Sequence, residues 1–427
     1  MENIFGKLGT TQRRDLDRAY DAVTNAVPLA ASHMRALPYA VNDLSRLLTT
    51  ERPQQGPPYW TSPRLLAAYC WYFLPWNLVR LSYLLPGLRL SLEPGDRILD
   101  LGSGPLTLPL ALWLAYPAWR AMPLTFVACD TAPNPLGKGR KIFTALAGKD
   151  SPWNIEILRS SIDTVLRQGR GRFALITAGN VLNEIPQPRA GSLEDRLAAL
   201  TSLLASRLTA KGCFFSVEPG TRLGGKRIAL LRRTAFAAGM LPESPCPHMK
   251  GCPMLGKRAT GWCHFSHSTA GAPRKLLDIT NAARLDKHVF SLSCLLLRRM
   301  RDMNLPLLTG RGKTGPEDVY IRDMPDEEAV GEHDAALLPP APGALATVRI
   351  LSDFIRIPGE GQPARYACSE YGMAVVLDSA CVPSGAAVRV RFVGPAARDA
   401  KTRAYFAERE DRSRLSLTGA ARNRTIQ

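Results

Sequence analysis

The sequence predicts an α/β protein built on a doubly wound sheet, with a helical region before it, a cysteine-rich loop late in it and a small β unit after it. Three observations carry this. From Pro94 to Gly220, short apolar runs alternate with segments of helical period, the pattern of parallel strands buried on both faces. The run Arg97–Leu101 includes Asp100 and passes into a glycine turn, Gly102-Ser103-Gly104. Cys246, Cys252 and Cys263 cluster in a stretch broken by Pro247, Gly251, Pro253, Gly256 and Gly261.

Residues 1–90 read as helical, with apolar periodicity near 3.6 over Leu16–Val27 and Leu37–Leu48. A Pro/Gly-rich break at 51–63 precedes a further helix, with Ser62 as its N-cap and Pro63 at its first position. The apolar stretch Leu65–Leu85 is interrupted by Trp76, Asn77 and Arg80, so it reads as a buried or amphipathic helix, not a membrane span. Residues 91–300 form the α/β domain. Strands are expected at 97–104, 124–130, 154–163, 173–186 and 212–220, helices at 106–116 and 192–208, and a late strand at 287–300. The cysteine loop spans 244–267. Residues 301–344 read as an irregular linker, 345–400 as a small β unit with short alternating strands, and 401–427 as a charged helix fading into a basic tail.

Hydrophobic content of 45% supports a real core, and a net charge of +18 spread along the chain favours an anionic partner. Nine cysteines, an odd number with local clustering, suit a reducing compartment and a metal site better than a disulfide framework. The N-terminus carries Glu2, Asp15 and Asp17 and no apolar leader, which reads as neither signal nor transit peptide.

Asp100, Gly102, Ser103 and Gly104 form a strand-to-helix turn where backbone can approach a ligand. The third glycine of a dinucleotide fingerprint is replaced, with Leu106 and Thr107 following Pro105, which argues against NAD. Asp130 ends the second strand, where a carboxylate can accept ribose hydroxyls. Ser161 and Asp163 end the third, where an adenine amine is read. Ligand-facing positions at successive strand ends resemble a class I S-adenosylmethionine-dependent methyltransferase, a Rossmann-like fold. Asn180, Asn183 and Glu184 after the fourth strand are candidates to position a methyl acceptor, or caps of the next helix, and Asn180 is also a candidate cofactor contact. They form neither the Asn-Pro-Pro-aromatic motif of amino methylation nor a Pro-Cys nucleophile. In the loop, the Cys-x5-Cys-x10-Cys spacing offers soft ligands to zinc, copper or an iron–sulfur cluster.

DLGSGPLT, GNVLNEIP, VEPGT, CPHxxxCP and WCHFS occur in that order. With them the chain resembles the mitochondrial and bacterial small-ribosomal-subunit methyltransferase-like assembly factors, well over about residues 95–300. The resemblance implies S-adenosylmethionine binding, association with the small ribosomal subunit and its RNA in assembly or translation, and a four-cysteine [4Fe–4S] cluster. Its ligands would be Cys246, Cys252, Cys263 and, from a C-terminal Cys-x3-Gly context, Cys368, with Cys381 and Cys294 as competitors. Zinc is the alternative metal. A non-transferring scaffold, or a zinc-stabilised methyltransferase acting on protein or a small molecule, are the alternative functions. Cations expected to meet RNA phosphate are Lys138, Arg140, Lys141, Arg222, Lys226, Arg227, Arg232 and Arg233. A monomer is expected, with no DNA or membrane partner. The cytoplasm of a bacterium is the expected location, or the mitochondrial matrix if the source is eukaryotic.

Overall fold

The computed structural model describes residues 2–49, 59–169, 171–184, 191–255, 261–300, 337–351, 354–356 and 363–411. Most of the expected linker (301–336), part of the cysteine loop (256–260) and the end of the tail (412–427) lie outside these residues.

Helices α1 (Thr10–Ala26), α2 (Ala31–Thr49), α3 (Pro63–Ala68) and α4 (Leu74–Leu84) make the N-terminal region. The helix expected as one piece from Pro63 is interrupted by a π-helical turn at Tyr69–Phe73. Pro75 stands just beyond it, after Leu74; it has no N–H to donate back and its ring crowds the carbonyl four residues earlier, so a wider turn relieves it. Among the described residues no helix is long and apolar enough to cross a membrane.

The central sheet has parallel strands β1 (Arg97–Leu101), β2 (Leu124–Asp130), β3 (Trp153–Arg159), β4 (Phe173–Gly179) and β5 (Leu208–Pro219). Three more follow: β6 (Met240–Ser244), β7 (Phe265–Ser268) and β8 (Val289–Arg299). The order is β3-β2-β1-β4-β5-β8-β6, with β8 antiparallel between β5 and β6, and β7 pairing β8. Both faces are covered. Ile98, Phe126, Leu175 and Phe215 pack toward the N-terminal helices and α5 (Thr107–Ala115) and α6 (Pro133–Ala147). Their neighbours Leu99, Val127, Ile176 and Phe214 pack toward α7 (Ile162–Gln168), α8 (Leu193–Arg207) and α9 (Arg222–Ala237). That is why these strands read as continuous apolar runs. Ser192 and Asp195 close a capping box that starts α8. A short helix, α10 (Arg274–Ala282), links β7 to β8.

The C-terminal strands are β9 (Leu345–Ile350), β10 (Ile355–Arg356), β11 (Pro363–Ser369), β12 (Gly372–Val376), β13 (Ala387–Phe392) and β14 (Tyr405–Arg409). Neighbours run β11-β12-β14-β13-β9, and β9 pairs back onto β11, so five strands close on themselves with β10 appended. Val348, Ile350, Ala367, Val376, Val390, Phe392 and Tyr405 fill the interior. Strand β14 corrects the expectation of a charged helix there. Tyr405 and Ala407 are buried by alternation, while charged Glu408 and Arg409 disguise the strand.

The C-terminal unit is tied to the N-terminal segment and to the main domain by specific bonds. Ala387 N–H donates to Glu2 O at 2.8 Å, and Ile4 N–H to Gly385 O at 3.2 Å. Buried Arg349 on β9 reaches both Gly385 O (2.9 Å) and Pro245 O (2.8 Å), and Ser266 N–H donates to Ser384 Oγ at 3.1 Å.

Candidate cofactor edge and cysteine cavity

The glycine turn after β1 is held from below and from the side. Asp100 is buried and accepts from Ser103 Oγ at 2.5 Å and Thr177 Oγ1 at 2.6 Å. Burial pushes its carboxyl up to about 7, against the two hydrogen bonds, with Asp130 adding to the rise. Gly102 has φ +63°, and a Cβ there would sit 2.4 Å from Val181 Cγ2. Leu106, the residue before the position (Thr107) where the third glycine of that fingerprint would stand, itself adopts φ +59° as the N-cap of α5. Asp130 braces the turn: one carboxylate oxygen accepts from Gly104 N–H and the other from Ala132 N–H, each at 2.9 Å. Each oxygen keeps a lone pair for a ribose hydroxyl.

Two expected ligand residues sit differently. Ser161 lies beyond β3 as the N-cap of α7, accepting from Thr164 N–H at 3.1 Å. Asp163 lies in the first turn of α7 and pairs with Arg196 of α8. The expected strand to 163 ends instead at Arg159, because Ser161 offers the chain a helix cap. Asn180 is left-handed at φ +58°, and its Oδ1 accepts from Arg80 Nη2 at 3.0 Å. In the sequence Arg80 stands out only as an interruption of an apolar stretch, with nothing to tie it to Asn180. It is buried in α4, and burial lowers its guanidinium to about 10 despite Tyr69 and Glu218 nearby. Glu218 Oε1 in turn accepts from Leu182 N–H at 2.9 Å. Asn183 has a buried side-chain oxygen with no hydrogen-bond partner among the described residues, and Glu184 lies in the short 3-10 turn Leu182–Glu184 near Tyr69.

The second site is a cavity between the two sheets. Cys246, Cys252, Cys263, Cys294 and Cys368 line it, with Arg232, His248, Met254 and Arg349. The three loop thiols and Cys368 therefore come together, although Cys263 and Cys368 are far apart in sequence. Cys294 on β8 is a fully buried fifth thiol of the wall, whereas Cys381 is exposed and accepts from Arg409. Burial pushes the Cys252 thiol up to about 11, and burial followed by the neighbouring sulfurs lifts Cys263 and Cys368 well above the usual range. Such burial disfavours the thiolates of Cys252, Cys263 and Cys368 until a cation takes the proton's place. Among the described residues no group of three or more His, Cys, Asp or Glu side chains is arranged to hold a metal ion.

Arg232 is the cation built into this wall. Its Nε donates to Cys246 Sγ at 3.1 Å, and its Nη2 donates to His248 O at 2.9 Å and Lys250 O at 2.8 Å. Burial opposes its charge, but Cys246 and Cys252 outweigh it and hold the guanidinium above its ordinary range. Arg232 is 3% exposed and Arg227, which donates to Leu182 O, is 6% exposed. Both are thereby removed from the expected RNA-facing cations: Arg227 is turned to the carbonyl of Leu182 after β4, and Arg232 to the cysteine loop. Arg233 is partly exposed but pairs with Glu194. Lys138 and Lys226 are not buried, and Arg140, Lys141 and Arg222 are exposed or half-exposed, with Arg222 over the Trp262 ring at 5.0 Å. The loop histidines differ in role. His248 Nε2 lies 3.5 Å from Cys368 Sγ, and burial, then Arg232, lower its imidazole to about 4. His264 stacks on Trp262, and His267 packs among Phe5, Tyr83 and Phe290.

Residues 91–297 match the family model described as Rsm22, mitochondrial small ribosomal subunit Rsm22, in agreement with the resemblance read from the motifs. Solved structures with a similar chain path include a putative methyltransferase from Thermoplasma acidophilum (13% identity, 50% of this chain and 72% of that one, TM-score 0.31). They also include the magnesium protoporphyrin IX methyltransferase of Synechocystis PCC 6803 with bound SAH (13% identity, 60% and 93%, TM-score 0.32). No curated protein matches the chain.

Proposed function

On the premise that residues 91–297 form an Rsm22-family, methyltransferase-like domain, we propose that this protein associates with the small ribosomal subunit and its RNA and carries a [4Fe–4S] cluster. Cys246, Cys252, Cys263 and Cys368 would hold the cluster. The observation that carries this reading is the convergence of those four thiols, from two separate parts of the chain, on one cavity beside two buried guanidinium groups. The donor set fits the group. Its chemistry is that of soft thiol ligands, four cysteines lining one cavity, the ligand type that holds [4Fe–4S] clusters. The cluster would supply a rigid link between the loop and the barrel. The chain's own residues do the rest: Arg232 and Arg349 offset thiolate charge, and Ser293 Oγ holds the Cys263 carbonyl at 2.7 Å.

S-adenosylmethionine would bind at the turn Gly102–Gly104, with Asp130 on its ribose, and supply an electrophilic methyl group. Ser161 and Asp163 would take no direct part, since Ser161 caps α7 and Asp163 pairs with Arg196. A non-transferring scaffold is the second reading, favoured by the engagement of Asn180 by Arg80 at the strand end where an acceptor would be positioned. Calorimetry with S-adenosylmethionine, a tritium-transfer assay on small-subunit RNA, and cosedimentation with the small subunit test the three parts. Absence of cosedimentation would remove the ribosomal assignment. Binding without transfer would select the scaffold.

A further inference from the structure

The five-stranded closure β9-β11-β12-β14-β13-β9 has a definite topology. Numbered by order in the chain, its strands neighbour each other as 1-2-3-5-4-1, and the third and fifth, β12 and β14, run parallel. This is the strand order of the OB barrel, whose second and third strands and the loops flanking them bind single-stranded nucleic acid. The likeness of topology is an analogy, so the side chains have to carry the rest.

They do so on the outward face. Tyr366 on β11, Val375 on β12 and Phe406 on β14 are direct cross-strand neighbours and form one row. Tyr366 and Phe406 are half-buried, and they pack on buried Ala364, Val375 and Ala404 beside Ile355. Such a row offers stacking platforms for bases. The loop joining β13 to β14 lies alongside, since Phe406 N–H donates to Ala397 O at 3.1 Å. That loop carries Arg398, Lys401 and Arg403, with Lys401 and Arg403 exposed. Its one inward carboxylate, Asp399, is committed to the loop: it accepts from Thr402 N–H at 2.8 Å and from Tyr366 Oη at 3.3 Å. Glu408, two residues past Phe406, faces Arg391 directly across the strands. The lower end of the same face, Cys368 and Met373, packs on the main domain, so the cysteine cavity fixes the barrel's orientation.

We propose that the half-buried rings of Tyr366 and Phe406, set on either side of buried Val375, form with Lys401 and Arg403 a binding surface for single-stranded RNA. It rests on the RNA-associated reading above and assigns the contact to the barrel instead of the helices of the main domain. The test is fluorescence anisotropy of the full chain with a labelled single-stranded oligouridine RNA, across a salt series. Wild type is expected to bind, weakening steeply with salt. Lys401→Glu with Arg403→Glu, and separately Tyr366→Leu, are expected to weaken binding about tenfold or more. Lys138→Glu with Lys141→Glu on α6 is expected to change it little. Circular dichroism confirms that each variant is folded, and the loop pair does not depend on core packing. Binding by wild type that the barrel variants leave intact overturns this surface while the RNA-associated reading stands. No binding by wild type removes both. Barrel variants that keep RNA affinity but lose cosedimentation with the subunit would mark the face as a protein contact and overturn the proposal.

Discussion

Arg232 Nε lies 3.1 Å from Cys246 Sγ, joining a buried cation on helix α9 to the first thiol of the cysteine loop. The same guanidinium ties the carbonyls of His248 and Lys250, so one side chain sets both the charge beside the sulfurs and the path of the loop. Replacing it separates these effects. Arg232→Lys keeps the charge but loses the fork, and Arg232→Gln loses the charge as well. Both are expected to retain cluster about tenfold or more less well than wild type in a chelator challenge followed by visible absorbance, with Gln the worse. Equal retention in all three would show that the contact is incidental to metal binding.

Asp130 holds two backbone N–H groups with its two oxygens, and an amide can accept with only one of them. Asp130→Asn is therefore expected to cost about 1–3 kcal/mol of stability. It should also weaken S-adenosylmethionine binding about tenfold by calorimetry, about one charge-assisted hydrogen bond. Unchanged affinity would place the nucleoside elsewhere.

Burial raises the Asp100 carboxyl to about 7, above its unfolded value near about 4. The folded chain thus holds this proton more tightly than the unfolded chain. The stabilisation is fully present below the unfolded value and is lost as pH rises through about 7. Asp100→Asn removes the ionisation. Urea titrations at several pH values from 5 to 8 are expected to show wild type losing stability relative to the variant; parallel curves would contradict the shift.

Arg80 places a charge from helix α4 against Asn180 at the end of β4, with Glu218 nearby. Arg80→Leu is expected to destabilise the protein by about 3 kcal/mol, since it strands polar partners in the core. A loss under about 0.5 kcal/mol in denaturant titration, typical of a surface substitution, would show that the partners find other bonds.

What the sequence disclosed follows from which forces are local. The parallel strands were legible because Ile98 and Leu99 point to opposite covered faces, so both must be apolar. The cysteine loop was legible by composition, and its convergence with Cys368 rested on a family resemblance, since nothing local to either segment points to the other. Arg227 and Arg232 were misread because a basic helix looks solvated until its neighbours are known. The end of β3 was misplaced because Ser161 caps a helix with the same residues that continue an alternating strand. Barrel closure depends on β9 meeting β11 and β12 meeting β14, pairings that no window of sequence contains.

The central claim is that the four thiols hold an iron–sulfur cluster. The most direct measurement is iron, acid-labile sulfide and zinc in the full chain purified without oxygen. The account predicts a brown protein with iron and sulfide in equal amounts, about four of each per chain, lost together in Cys246→Ser or Cys368→Ser. A colourless protein without iron, or one holding a single zinc, would contradict it.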